Sequence, residues 1–173
     1  MNPDSNINTN TPAADTHVGE RAIDRWFAGY SDDHRNVLNQ RIHVLCVPAI
    51  VWSVMALLWC IPSPTPLFRD GVFAGLAMML TSLFYYRHSR RLGLGMAVVF
   101  IISALATRLL HDAIGTRQLA FVAIGVFVVA WIGQFVGHKI EGRKPSFLTD
   151  LTYLLIGPAW VLAKLYQRLG WRC

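Results

Sequence analysis

Three histidines and one carboxylate stand where chemistry could be done: His34, His43, His138 and Glu141. Neutral imidazole is the commonest side-chain metal ligand, and each such ligand normally has its other ring nitrogen held by a partner. Polar residues at helical spacing offer those partners: Tyr30 lies four before His34, Asn39 four before His43, and Gln134 four before His138. Several histidines with a carboxylate and no nearby cysteine suit iron(II) or another borderline metal better than a structural zinc site.

The stretch Trp131–Phe147 concentrates this pattern at the end of a long apolar run. On a continuing helix Gln134, His138 and Glu141 fall at i, i+4 and i+7, which is one face. Gly142 and Pro145 then break the helix, with Arg143 and Lys144 at the boundary. A histidine and a carboxylate at the mouth of a membrane helix are costly and usually functional. The alternative reading is a capped helix end whose basic residues anchor at lipid headgroups. His34 and His43 are nine apart, which on one straight helix puts them on roughly opposite faces. For both to reach one site the chain must turn between them, near Asp32-Asp33 or Asn36.

The elements that position these residues are apolar. The chain has 173 residues, enough for one domain, and is 54% hydrophobic with only 15% charged residues, against roughly 25% in soluble domains. The apolar residues fall in long blocks, which predicts an all-α integral membrane bundle of about four transmembrane helices. The spans are expected near residues 44–61, 67–86, 92–110 and 118–137. A short interfacial helix precedes them, carrying Trp26, Phe27 and Tyr30. An interfacial or half-inserted helix is expected over 150–169, interrupted at Gly157-Pro158. Residues 1–19 read as a disordered leader, and 20–173 as a single transmembrane catalytic domain. The first apolar block has no cleavage pattern, so no signal peptide is expected.

The net charge of +6 is not a nucleic-acid signature, because the cations lie between or after apolar blocks, where headgroups explain them. The three cysteines form no CxxC pair, which argues against a disulfide framework or a zinc knuckle. With four spans, Arg21, Arg25, Arg35, Arg41, the Arg87–Arg91 turn and the C-terminal tail share one side. The positive-inside rule then places both termini in the cytoplasm, together with His34, His43 and His138, and puts His111 on the opposite face. No GxSxG elbow, Walker loop or dinucleotide fingerprint appears.

Tyr30-x3-His34-x4-Asn39-x3-His43-x4-Pro48, then Trp131-Ile-Gly-Gln-Phe-Val-Gly-His138, Glu141-Gly-Arg-Lys-Pro145 and Gly157-Pro158, resembles the 2-hydroxy fatty acid dioxygenase-like family. Its members include a membrane protein of phytosphingosine to odd-chain fatty acid metabolism. The resemblance implies a membrane enzyme of α-oxidation in a bacterial inner membrane or the endoplasmic reticulum. Such an enzyme uses Fe(2+) and O2 to shorten a 2-hydroxy fatty acid by one carbon. It implies His34, His43 and His138 as iron ligands, with Glu141 as a further catalytic candidate. Arg143 or Lys144 would hold the substrate carboxylate, and Tyr30, Asn39 and Gln134 would support the ligands. The rival readings are a membrane scaffold or lipid-binding protein, and a metal-dependent lipid hydrolase or hydroxylase.

Overall fold

The structure, a computed structural model, describes residues 22–65, 68–142 and 147–171. Among the described residues five helices follow one another: α1 (Ala22–Asp33), α2 (Val37–Trp59), α3 (Val72–His88), α4 (Arg90–Glu141) and α5 (Phe147–Arg168). No strand occurs among the described residues. Among the described residues two helices, α2 and α4, are long and apolar enough to cross a membrane.

The chain turns between α1 and α2, as the opposed faces of His34 and His43 require. Asn36 ends the turn by accepting from the Leu38 and Asn39 amides, a side-chain cap for the first free N–H groups of α2. Pro48 lies inside α2. α3 begins after Gly71, whose left-handed φ of 81° lets the backbone pass closely beneath the Trp59 indole.

A continuous α4 of 52 residues would extend about 78 Å. It does not, because Gly115 takes a non-helical conformation with φ 79° and ψ 167°. The expected spans left residues 111–117 between them as a connection; the break is confined to Gly115, and helix resumes at once. Before it, Met96 and Phe100 pack with Met55, Met78 and Leu162. After it, Leu119 and Ala123 pack on Ala56 near the end of α2, and Gly133 and Gly137 face Cys46 and Asn39 nearer its start. The second half of α4 therefore runs antiparallel to α2 and returns to where α2 begins.

Small residues make that return close. A Cβ on Gly133 would lie 2.7 Å from Cys46 Sγ, and one on Gly137 would clash with Asn39 Oδ1. Gly133-x3-Gly137 is thus a groove into which α2 fits. Gly157-Pro158 does not interrupt α5, which continues through Pro158. Gly157 sits beside Tyr30 and Val47, and the Tyr85 hydroxyl donates to the Leu155 carbonyl in the turn that Pro158 loosens.

Leu45, Ile101, Leu109, Phe121, Val129 and Ile132 are exposed on the outer faces of α2 and α4. Five polar side chains, His34, Asn39, His43, Gln134 and His138, are instead buried together at one end, around the first turns of α2.

Candidate metal centre

Three elements meet at that end. His34 stands just beyond the last residue of α1, His43 in the second turn of α2, and His138 in the last turn of α4. They are 1%, 2% and 8% exposed. The His34 and His43 ring centroids are 4.3 Å apart, His43 and His138 5.1 Å, and His34 and His138 5.6 Å. One ring nitrogen from each lies within 4.8 Å of the others.

The orientation of two rings follows from local helix geometry. His34 Nδ1 is 2.7 Å from the Tyr30 carbonyl and His43 Nδ1 is 3.0 Å from the Asn39 carbonyl, each four residues back. A carbonyl can only accept, so Nδ1 carries a proton in both, and in the neutral ring Nε2 keeps the lone pair. That is the arrangement of a metal-ligating histidine whose other nitrogen is held by backbone. Nitrogens bound to one ion at about 2.1 Å lie roughly 3 to 4 Å apart, so small ring rotations would bring this cluster onto an ion. The donor set fits a metal of the borderline class.

Glu141 has a different place. It is not in the group of clustered ligand atoms. Its Oε1 accepts from the Arg35 amide at 2.9 Å, and its Oε2 from the Asn36 amide at 3.0 Å and Asn39 Nδ2 at 2.8 Å. A carboxylate at the start of α2 meets the positive end of that helix. Glu141 lies beyond the apolar run of α4. Desolvation raises its pKa, but the hydrogen bonds from Asn39, Asn36 and Arg35 outweigh that and hold it below the ordinary glutamate value.

The expected supporting residues lie close by. Tyr30 stacks on His34 with centroids 4.2 Å apart and planes 13° apart, Asn39 is fully buried, and Gln134 is buried. Arg143 and Lys144 lie outside the described residues. His111 is at the far end, where Nε2 sits 2.9 Å from Thr116 Oγ1 beside the Gly115 break. His88 is packed between Trp26 and Phe84.

Sequence reasoning missed the wall supplied by α5. Trp160 is buried with its ring 4.9 Å from Tyr30 and 6.2 Å from His34, and its indole N–H donates to Ser31 Oγ at 2.9 Å. Lys164 lies 4.0 Å over the Trp160 ring and donates to Gln40 Oε1 at 2.6 Å. Gln40 Nε2 in turn donates to the His34 carbonyl at 2.7 Å. The available signal was Lys164 itself, a lone cation in an apolar stretch four residues after Trp160.

These features describe an all-helical protein with a buried cluster of three histidines able to hold a metal ion. A family model described as 2-hydroxy-palmitic acid dioxygenase Mpo1-like matches residues 21–169, and the chain belongs to that family. It is similar to the 2-hydroxy-palmitic acid dioxygenase MPO1 of Saccharomyces cerevisiae, 28% identical over 144 residues. That alignment covers 82% of this chain and 78% of the yeast protein. No solved structure matches the chain.

Proposed function

We propose that this protein is an Fe(II)-dependent dioxygenase of fatty acid α-oxidation, converting a 2-hydroxy fatty acid and O2 to the acid one carbon shorter. The reaction balances as RCH(OH)COOH + O2 → RCOOH + CO2 + H2O. The observation that carries the reading is the buried cluster of His34, His43 and His138, in a chain of the Mpo1-like family. The yeast relative's name supplies the substrate class.

In this reading the three histidines hold the iron through their inward nitrogens. Bound there, the metal would supply the one-electron chemistry with O2 that no side chain can. The Tyr30 and Asn39 carbonyls keep His34 and His43 in the ligating tautomer. Tyr30 and Trp160 close one side of the cluster and exclude water. Arg143 or Lys144, just beyond Glu141, would hold the substrate carboxylate, with Arg the better bidentate partner.

The acyl tail would lie among the helices. Val51, eight residues beyond His43 and about 12 Å further along α2, borders an apolar cavity of about 70 Å³ with Met55, Phe100 and Pro158. We place α2, α3 and the two halves of α4 as four membrane crossings. The exposed apolar side chains on α2 and α4 support this, since no soluble surface carries so large an apolar face. Both termini and the histidine cluster then face the cytoplasm.

The test is to purify the protein in detergent without air, measure its metal, and supply 2-hydroxyhexadecanoic acid with O2. Iron in the protein, oxygen uptake and release of pentadecanoic acid are expected. An iron-loaded protein that leaves the hydroxy acid unchanged, or alters it without O2, would overturn the assignment.

A further inference from the structure

The side-chain amide of Asn39 can sit in only one orientation. Its contact with Glu141 Oε2 at 2.8 Å can be made only by an N–H donor, so Nδ2 faces the carboxylate. Oδ1 is therefore on the other branch, toward Gly137 and His43. A Cβ on Gly137 would clash with Oδ1 and lie 3.3 Å from His43 Cε1, so the amide oxygen packs against α4 with the imidazole edge close by. Asn39 is 0% exposed, and Oδ1 accepts no hydrogen bond from any described residue. Native proteins seldom leave such a buried acceptor without a donor.

Gly137 has no side chain, which is what lets Oδ1 lie against α4. The neighbouring rings of His43 and His34 have their protons on Nδ1, turned to the Asn39 and Tyr30 carbonyls. Oδ1 therefore lacks a hydrogen-bond donor among the described residues, and a group bound at the cluster can supply one.

We propose, resting on the dioxygenase reading of this site, that Asn39 Oδ1 accepts the hydrogen bond of the substrate's 2-hydroxyl. Asn39 is then a specificity-determining residue, favouring a 2-hydroxy acid over the unhydroxylated acid of equal length. Glu141 acts through it as a positioning residue, because its carboxylate keeps the oxygen turned inward. A site built to hydrogen-bond a hydroxyl discriminates strongly, since the analogue lacking it leaves the buried acceptor unpaired.

The test uses full-length, iron-loaded protein in detergent without O2, so that binding is read and not turnover. Affinities for 2-hydroxyhexadecanoic acid and hexadecanoic acid are measured for the wild type and Asn39→Leu, with iron content in parallel. The preference for the hydroxy acid should fall roughly tenfold to a hundredfold in the variant. Affinity for hexadecanoic acid and iron content should be little changed. An unchanged preference with iron retained overturns the role of Asn39 and leaves the dioxygenase reading standing. Equal weakening of both acids means the donor is a bound water, and loss of iron means that Asn39 holds the metal; either result also overturns the proposal. If Asn39→Leu does not fold, the smaller Asn39→Ala carries the same comparison. A wild type that binds no iron and neither acid removes the dioxygenase reading itself, and this inference with it.

Discussion

Asn39 on α2 and Glu141 at the last position of α4 share a 2.8 Å hydrogen bond across 102 residues of chain. The same carboxylate also takes the Arg35 and Asn36 amides, so one side chain closes the entry to α2. Glu141→Ala should destabilise the protein by about 1–2 kcal/mol at neutral pH, the partial exposure of the site limiting the loss. Because the pKa of Glu141 is lowered in the fold, its contribution is present above the ordinary carboxyl range and lost as pH falls through the folded value. Thermal unfolding of wild type and variant in detergent should therefore converge in acid. A gap that persists or widens there would contradict this role.

His34, His43 and His138 occupy three different elements but one cluster. Replacing any one by alanine should abolish tight iron binding, from about one iron per chain to a small fraction, since each supplies a ligand that no neighbour replaces. Metal analysis of anaerobically purified variants reads this directly. His111→Ala, at the far end of the molecule, should retain the metal.

Gly137 and Gly125 make a matched pair on α4. A methyl on Gly137 meets Asn39 Oδ1, whereas one on Gly125 meets nothing within 4 Å. Gly137→Ala should cost about 1–3 kcal/mol by forcing α4 away from α2. Gly125→Ala should stabilise the helix by roughly 0.5–1 kcal/mol. Melting temperatures of the two variants should move in opposite directions, and only Gly137→Ala should lose iron.

Trp160 combines packing on Tyr30 with a hydrogen bond to Ser31. Trp160→Ala should cost about 3–5 kcal/mol. Trp160→Phe, which keeps an aromatic ring but loses the N–H and part of the indole volume, should cost less, about 1–3 kcal/mol. Denaturation of both variants separates the two contributions.

Arg143 follows Glu141 by two residues, close in the chain to the cluster. Arg143→Ala should raise KM for a 2-hydroxy fatty acid more than it lowers kcat, and Arg143→Lys should recover only part of the loss. A change confined to kcat would place Arg143 outside carboxylate binding.

What could be read from the sequence was what helical periodicity encodes. Gln134, His138 and Glu141 needed only a helix running to Gly142, and α4 ends at Glu141 with Gly142 in the left-handed conformation at φ 75°. His34 and His43 could share a site only if the chain turned, and Asn36 sits at that turn as a cap. Contacts between distant segments were not legible. Nothing local marks Trp160 as the neighbour of Tyr30, or gives Glu141 the Arg35 and Asn36 amides in place of the histidine cluster. Gly157-Pro158 misled because a proline removes one helical N–H without ending the helix where tertiary packing holds the flanking turns, and α5 runs on through Pro158. Gly115 was hidden among polar neighbours that suggested a longer turn.

The wall that α5 places against α1 has a consequence for how the protein is made. Trp160 meets Ser31 across 129 residues, so the first described helix waits for nearly the last to be synthesised. Until Trp160 emerges, Tyr30 and His34 stay open to water on that side, and on the proposed reading a metal ion taken up early would exchange. On that reading, secure loading would be an event of the chain that includes α5. A product cut short before α5 would still carry all three histidines yet leave them uncovered, which gives the cell a physical difference between complete and incomplete copies.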